Sequence, residues 1–87
     1  MDQAVTADAL TERVAAIIAG MKQIPIETIG ADTPFRELGM DSLDGINMIY
    51  EIELAYDVSI SNEEAAEIGS VRELVAKLQT LLADPAS

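Results

Sequence analysis

In the stretch LGMDSLDGIN, residues 38–47, a serine at 42 stands between aspartates at 41 and 44, where a glycine-containing loop gives way to an apolar run. Three chemistries are open to it. A hydrolytic nucleophile needs a general base to take the hydroxyl proton, usually a histidine held by an acid. The chain contains neither histidine nor cysteine, which removes the base and the alternative thiol nucleophile together. A calcium loop with Gly45 at its sixth position and Glu51 at its twelfth would begin at Met40, which has no oxygen ligand to offer. The remaining reading makes Asp41 a helix N-cap, Ser42 the first helical residue and Asp44 a first-turn acid answering the helix dipole. That leaves the Ser42 hydroxyl at the edge of loop and helix, where backbone N–H groups point outward and a phosphate ester is tolerated. The dipole contributes only about 0.3–1 kcal/mol, too little to choose Ser42 over Ser59, Ser61 or Ser70. Selection would have to come from an enzyme that reads the surroundings.

The elements that must position this serine follow from apolar spacing. Leu10, Val14, Ile17, Ile18 and Met21 share one helical face, with Thr6 a cap before them, predicting helix one over about 6–20. From 21 to 40 the period breaks at Pro25, Gly30, Pro34 and Gly39, although Ile24, Ile26, Ile29, Phe35 and Leu38 recur, so this reads as a long loop pinned to the core. Such a length is unusual inside a small domain and points either to a functional loop or to element boundaries other than these. Helix two, about 42–56, carries two apolar stripes: Met48, Ile49, Ile52 and Tyr56 on one side, Leu43, Ile46, Tyr50 and Leu54 nearly opposite. Either the bundle wraps this helix on both sides, or the second stripe stays outside as a docking surface. Ser61 with Glu64, and Ser70 with Glu73, have capping-box spacing. They open a short helix three over about 62–68 and a helix four over about 71–82, before ADPAS frays. The expected fold is all-α: one domain spanning 1–87, a four-helix bundle with three longer helices, a short third helix and a long first connection.

Composition narrows the function. Eighty-seven residues bury only about 60–65% of the surface the unfolded chain exposes, leaving no room for a second lobe. A formal charge of −11 repels a phosphate backbone, which disfavours nucleic acid, and steers the molecule toward basic patches on other proteins. Without cysteine, any sulfur chemistry uses sulfur brought from elsewhere. No basic flank followed by an apolar core opens the chain and no run approaches a membrane span, so a cytoplasmic protein without membrane insertion is expected.

The segment DTPFRELGMDSLDGINMIYEIELAYDVSI, with ERVAAII before it and NEEAAEIGSVRELV after it, resembles an acyl carrier protein over nearly the whole chain. The resemblance implies a 4'-phosphopantetheine arm, taken from coenzyme A by a phosphopantetheinyl transferase and joined to Ser42, with Asp41 and Leu43 beside it. The arm's thiol would hold acyl groups as thioesters, and the carrier itself would catalyse nothing. Partner enzymes of fatty acid, specialised lipid or polyketide synthesis, acyl-transferring and ketosynthase-type, would dock basic patches against Asp44, Ile46, Asn47, Tyr50, Glu51 and Glu53. Met48, Ile49, Ile52, Tyr56, Ile60, Ala65 and Ile68 would line the space that shelters an acyl chain. A monomer is implied, and the short tails read as those of a free-standing carrier. Asn47 and Leu54 stand where many fatty-acid carriers have acids, so this recognition helix is less negative than the family's usual form. Gly45, one turn into the helix, costs about 1 kcal/mol relative to alanine and has no explanation at the level of sequence. A peptidyl or aminoacyl carrier, and an unmodified acidic helical adaptor, remain as alternatives.

Overall fold

The computed structural model describes residues 6–83, which form four α-helices: α1 (Ala7–Lys22), α2 (Ser42–Tyr56), α3 (Asn62–Ala66) and α4 (Val71–Ala83). The fraying expected at ADPAS and the absence of a leader read from the first residues lie outside the described residues beyond these limits. Thr6 caps α1, its hydroxyl accepting from the Ala9 N–H at 3.2 Å, and the helix closes on Gln23 in the left-handed conformation. It runs past the expected end at Gly20 to Lys22, whose side chain pairs with Asp44 across the fold.

The long connection is more ordered than its broken periodicity implies. Single 3₁₀ turns occupy Ile26–Thr28 and Phe35–Leu38, each opened by a proline, Pro25 or Pro34, whose ring fixes φ near −60°. Gly39 closes the second turn at φ 80°, a conformation that favours glycine. Backbone bonds then tie the connection to the start of α4: the Phe35 N–H donates to the Gly69 carbonyl and the Arg72 N–H to the Ala31 carbonyl, both at 2.8 Å. An Arg72–Asp32 ion pair reinforces the same seam.

The core is one cluster. Leu10, Val14 and Ile18 of α1 meet Met48, Ile49 and Ile52 of α2 and Val71, Leu74, Val75 and Leu78 of α4, with Ile60 entering from the connection before α3. At about 25 cal/mol per Å² of apolar area, burial of these aliphatic side chains is the main favourable contribution to folding. α1 packs chiefly on α4 and then on α2. α3 contributes no fully buried residue. It is held instead by its capping box, by the half-buried Ala65 with neighbouring Ile68, and by a Lys77–Glu64 ion pair of 2.9 Å to α4. α3 stops at Ala66, short of the expected 68, because Glu67 and Ile68 turn more tightly, donating to the carbonyls three residues back. The second predicted box, unlike the first, is only half formed. Ser70 accepts from the Glu73 N–H, while the Glu73 carboxylate accepts from the Gly69 N–H at 2.6 Å.

Candidate functional site

α2 begins with Asp41 as its N-cap. Asp41 Oδ1 accepts from the Asp44 N–H at 2.9 Å, and Asp44 Oδ2 accepts from the Asp41 N–H at 3.3 Å, a reciprocal box made by two aspartates. Because Asp41 does the capping, the exposed Ser42 hydroxyl stays out of these bonds. The N–H groups of Ser42 and Leu43 have no acceptor inside the helix and face outward with the positive end of the dipole.

Two carboxylates so close to Ser42 would oppose a phosphate, and the fold answers one of them. Lys22, at the end of α1, places Nζ 2.7 Å from Asp44 Oδ2. The lysine hydrogen bond, followed by that from the Asp41 N–H, holds the Asp44 carboxyl below the ordinary aspartate range. Asp44 therefore sits half-buried in an internal pair, although the sequence reading placed it among partner-facing acids.

Next to Ser42 a cleft of about 530 Å³ opens between α2 and the α3 region. Met48, Ile49, Ile60, Ala65 and Ile68, five of the residues assigned by resemblance to an acyl-sheltering space, line it. Ile52 and Tyr56, assigned to the same space, are not in its wall: Ile52 is fully buried in the core and Tyr56 packs half-buried against that core. Phe35, Gly45, Asn62 and Ala66 line the cleft without having been singled out for it. Phe35 arrives on a 3₁₀ turn, and the others flank periodic positions, so helical spacing gives no sign of them. Glu53, expected to face partners, also borders the cleft, its Oε2 accepting from the Ile60 N–H at 2.8 Å.

The second apolar stripe of α2 stays outside. Leu43, Ile46, Tyr50 and Leu54 are 59–64% exposed, and the alternative in which the bundle covers both sides of the helix does not hold. Asn47 and Glu51 are exposed alongside. Ile46 and Tyr50 border the cleft as well as solvent, so the outward stripe and the cleft mouth are continuous. Among the described residues no cluster of histidine, cysteine or carboxylate side chains could hold a metal ion, and no helix is long and apolar enough to cross a membrane.

Residues 12–78 match the family described as "Phosphopantetheine attachment site". The chain is 34% identical over 65 residues to an acyl carrier protein of Onion yellows phytoplasma, covering 74% of this chain and 86% of that one. It is 35% identical over 66 residues to 3-methylorcinaldehyde synthase of a Phoma species, covering 76% of this chain but 2% of the synthase's length. Among solved structures, the NMR structure of the HMG-ACPI domain from the CurA module of Lyngbya majuscula superposes with a TM-score of 0.82. The two share 20% identity over 97% of this chain and 88% of that one, a likeness of fold.

Proposed function

Because the chain belongs to the acyl carrier proteins, with their phosphopantetheine attachment site, we propose that Ser42 is the residue that bears the 4'-phosphopantetheine and that the cleft beside it shelters the cargo. The observation that carries this is the exposed Ser42 hydroxyl on the first turn of α2, spared from capping and opening on the apolar cleft. When attached, the group supplies the thiol that the chain lacks, on which acyl chains are held as thioesters. The chain's own residues do the rest. The Ser42 Oγ anchors the phosphodiester, and the Ser42 and Leu43 N–H groups favour its negative charge. Lys22 offsets the charge of one of the two neighbouring carboxylates, that of Asp44. Met48, Ile49, Ile60, Ala65 and Ile68 keep water from an apolar chain.

Delivery is a matter of tethering and docking. Attachment at Ser42 turns a bimolecular encounter into a local search at high effective concentration. The Leu43–Ile46–Tyr50–Leu54 stripe, with Asn47 and Glu51 beside it, offers an apolar patch with an acidic edge to enzymes bearing basic patches. The phosphopantetheinyl transferase must reach the same turn, and acyl-transferring and ketosynthase-type enzymes of fatty acid, lipid or polyketide synthesis are the working partners. The likeness to a carrier protein and, over 2% of its length, to a non-reducing polyketide synthase of Emericella nidulans supports these settings. Asp44 and Glu53 act mainly inside the fold, and Ile52 and Tyr56 support the cleft from the core. A monomeric carrier domain working in the cytoplasm completes the proposal.

The test is intact mass after incubation with a phosphopantetheinyl transferase and coenzyme A. The wild-type chain gains one arm and Ser42→Ala gains none. Unchanged wild-type mass with an active transferase would leave the unmodified adaptor as the better reading, and a holo form loaded only by amino-acid-activating enzymes would favour a peptidyl carrier.

A further inference from the structure

We propose that Gly45 is the specificity-determining gate of the cleft: its bare backbone is the passage by which an aliphatic acyl chain turns inward from Ser42. This role rests on the carrier reading of Ser42 and adds to it the residue that decides whether cargo enters.

Neither structural reason for a glycine applies at this position. Its backbone is ordinary right-handed helix, since Gly39 alone among the described glycines has a positive φ. Close packing does not demand it either, because a methyl group built at Gly45 meets nothing within 4 Å beyond its own helix. The fold would accept alanine with a gain in helix propensity. What the missing side chain does leave is space at one particular place. Gly45 lines the cleft together with Ser42, one turn before it on the same face of α2, and with Ile49, one turn after it. Helical side chains lean toward the N-terminus and cover the turn before their own Cα. A side chain at 45 would therefore lie over the ground between the Ser42 hydroxyl and the apolar wall of Met48, Ile49, Ile60 and Ile68. A bulky one would stand across the shortest route from anchor to wall. The wall of Met48, Ile49, Ile60 and Ile68 favours aliphatic cargo, because a strongly polar chain lying along it would lose hydration to side chains that offer no hydrogen bond in return.

The experiment is a graded series, Gly45→Ala, Gly45→Val and Gly45→Leu, each loaded from octanoyl-coenzyme A or coenzyme A by a promiscuous transferase and verified by intact mass. Amide shifts are compared between octanoyl and unacylated arms. In the wild type the octanoyl form shifts the amides of Ile49, Ile60 and Ala65; along the series these shifts shrink as the side chain grows, and thioester hydrolysis quickens in parallel. Gly45→Ala raises the Tm of the unmodified protein. Four outcomes would overturn the gate: undiminished octanoyl shifts in the bulkier variants, no such shifts in the loaded wild type, a lowered Tm in Gly45→Ala, or no loading of the wild type. The last would also defeat the carrier reading, whereas the first three leave it standing.

Discussion

Asp44 joins three tasks in one carboxylate: it closes the cap of α2, it draws Lys22 from the end of α1, and it stands two residues from the proposed anchor. Its pKa is lowered first by the Lys22 hydrogen bond and then by the Asp41 N–H, so removing the lysine should move the titration upward. In Lys22→Met the Asp44 carboxyl, followed by carbon NMR, is expected to titrate closer to the ordinary value of 3.8 than in the wild type. The sign of the stability effect follows from linkage: the unfolded chain binds the proton more readily than the folded one. The contribution of Asp44 is thus complete above the ordinary value and fades as pH falls through the lower folded value. The stability advantage of wild type over Asp44→Asn should accordingly narrow in that acid window, and an advantage unchanged down to pH 2 would refute the pairing. The local half of this arrangement is legible in the sequence, because a cap and its first-turn acid are three residues apart. The other half is not. Lys22 and Asp44 are separated by 22 positions, and no periodicity links the end of one helix to the start of another.

At the scale of elements, α3 is the piece held least by burial and most by polar contacts. It has five residues and none fully buried, so its position depends on the chain entering it. Glu53 fixes that entrance through the Ile60 N–H, whose residue is buried in the core cluster. Glu53→Ala leaves this donor without its partner, an expected loss of about 1–3 kcal/mol. Glu53→Gln keeps an acceptor in reach and should lose clearly less, as read from urea midpoints. Equal losses in the two variants would show that the bond contributes nothing. The same contrast explains what spacing alone could foresee. α1, α2 and α4 carry apolar residues at helical period through several turns, and their existence follows from Leu10–Met21, Met48–Tyr56 and Val71–Leu82. The 3₁₀ turns at Ile26–Thr28 and Phe35–Leu38 are too short to show a period, although the prolines that open them were visible as breaks. Phe35 enters the cleft by that hidden route. Glu53 looked like a surface acid because its partner is a backbone N–H, which no sequence pattern displays.

For the whole molecule the governing quantity is charge. Sixteen acidic residues against five basic ones give −11, and three of the five cations, Lys22, Arg72 and Lys77, are engaged in internal pairs with Asp44, Asp32 and Glu64. Self-repulsion of this size opposes the compact state, while the same field speeds approach to a basic partner. Salt should therefore push folding and docking in opposite directions. Raising NaCl from about 10 mM to about 100 mM shortens the Debye length from about 30 Å to about 10 Å, which screens charges spread over the surface more than close, partly buried pairs. The Tm of the unmodified protein is expected to rise by several degrees over this range, since ~1 kcal/mol corresponds to about 4–8 °C in a domain of this size. Association with a ketosynthase-type partner should slow over the same range, with dissociation much less affected because the apolar Leu43–Leu54 stripe is insensitive to screening. A Tm that fell with salt would mean that the three ion pairs outweigh the repulsion. An association rate indifferent to salt would mean that the acidic field plays no part in finding partners, and that the apolar stripe on α2 alone selects them.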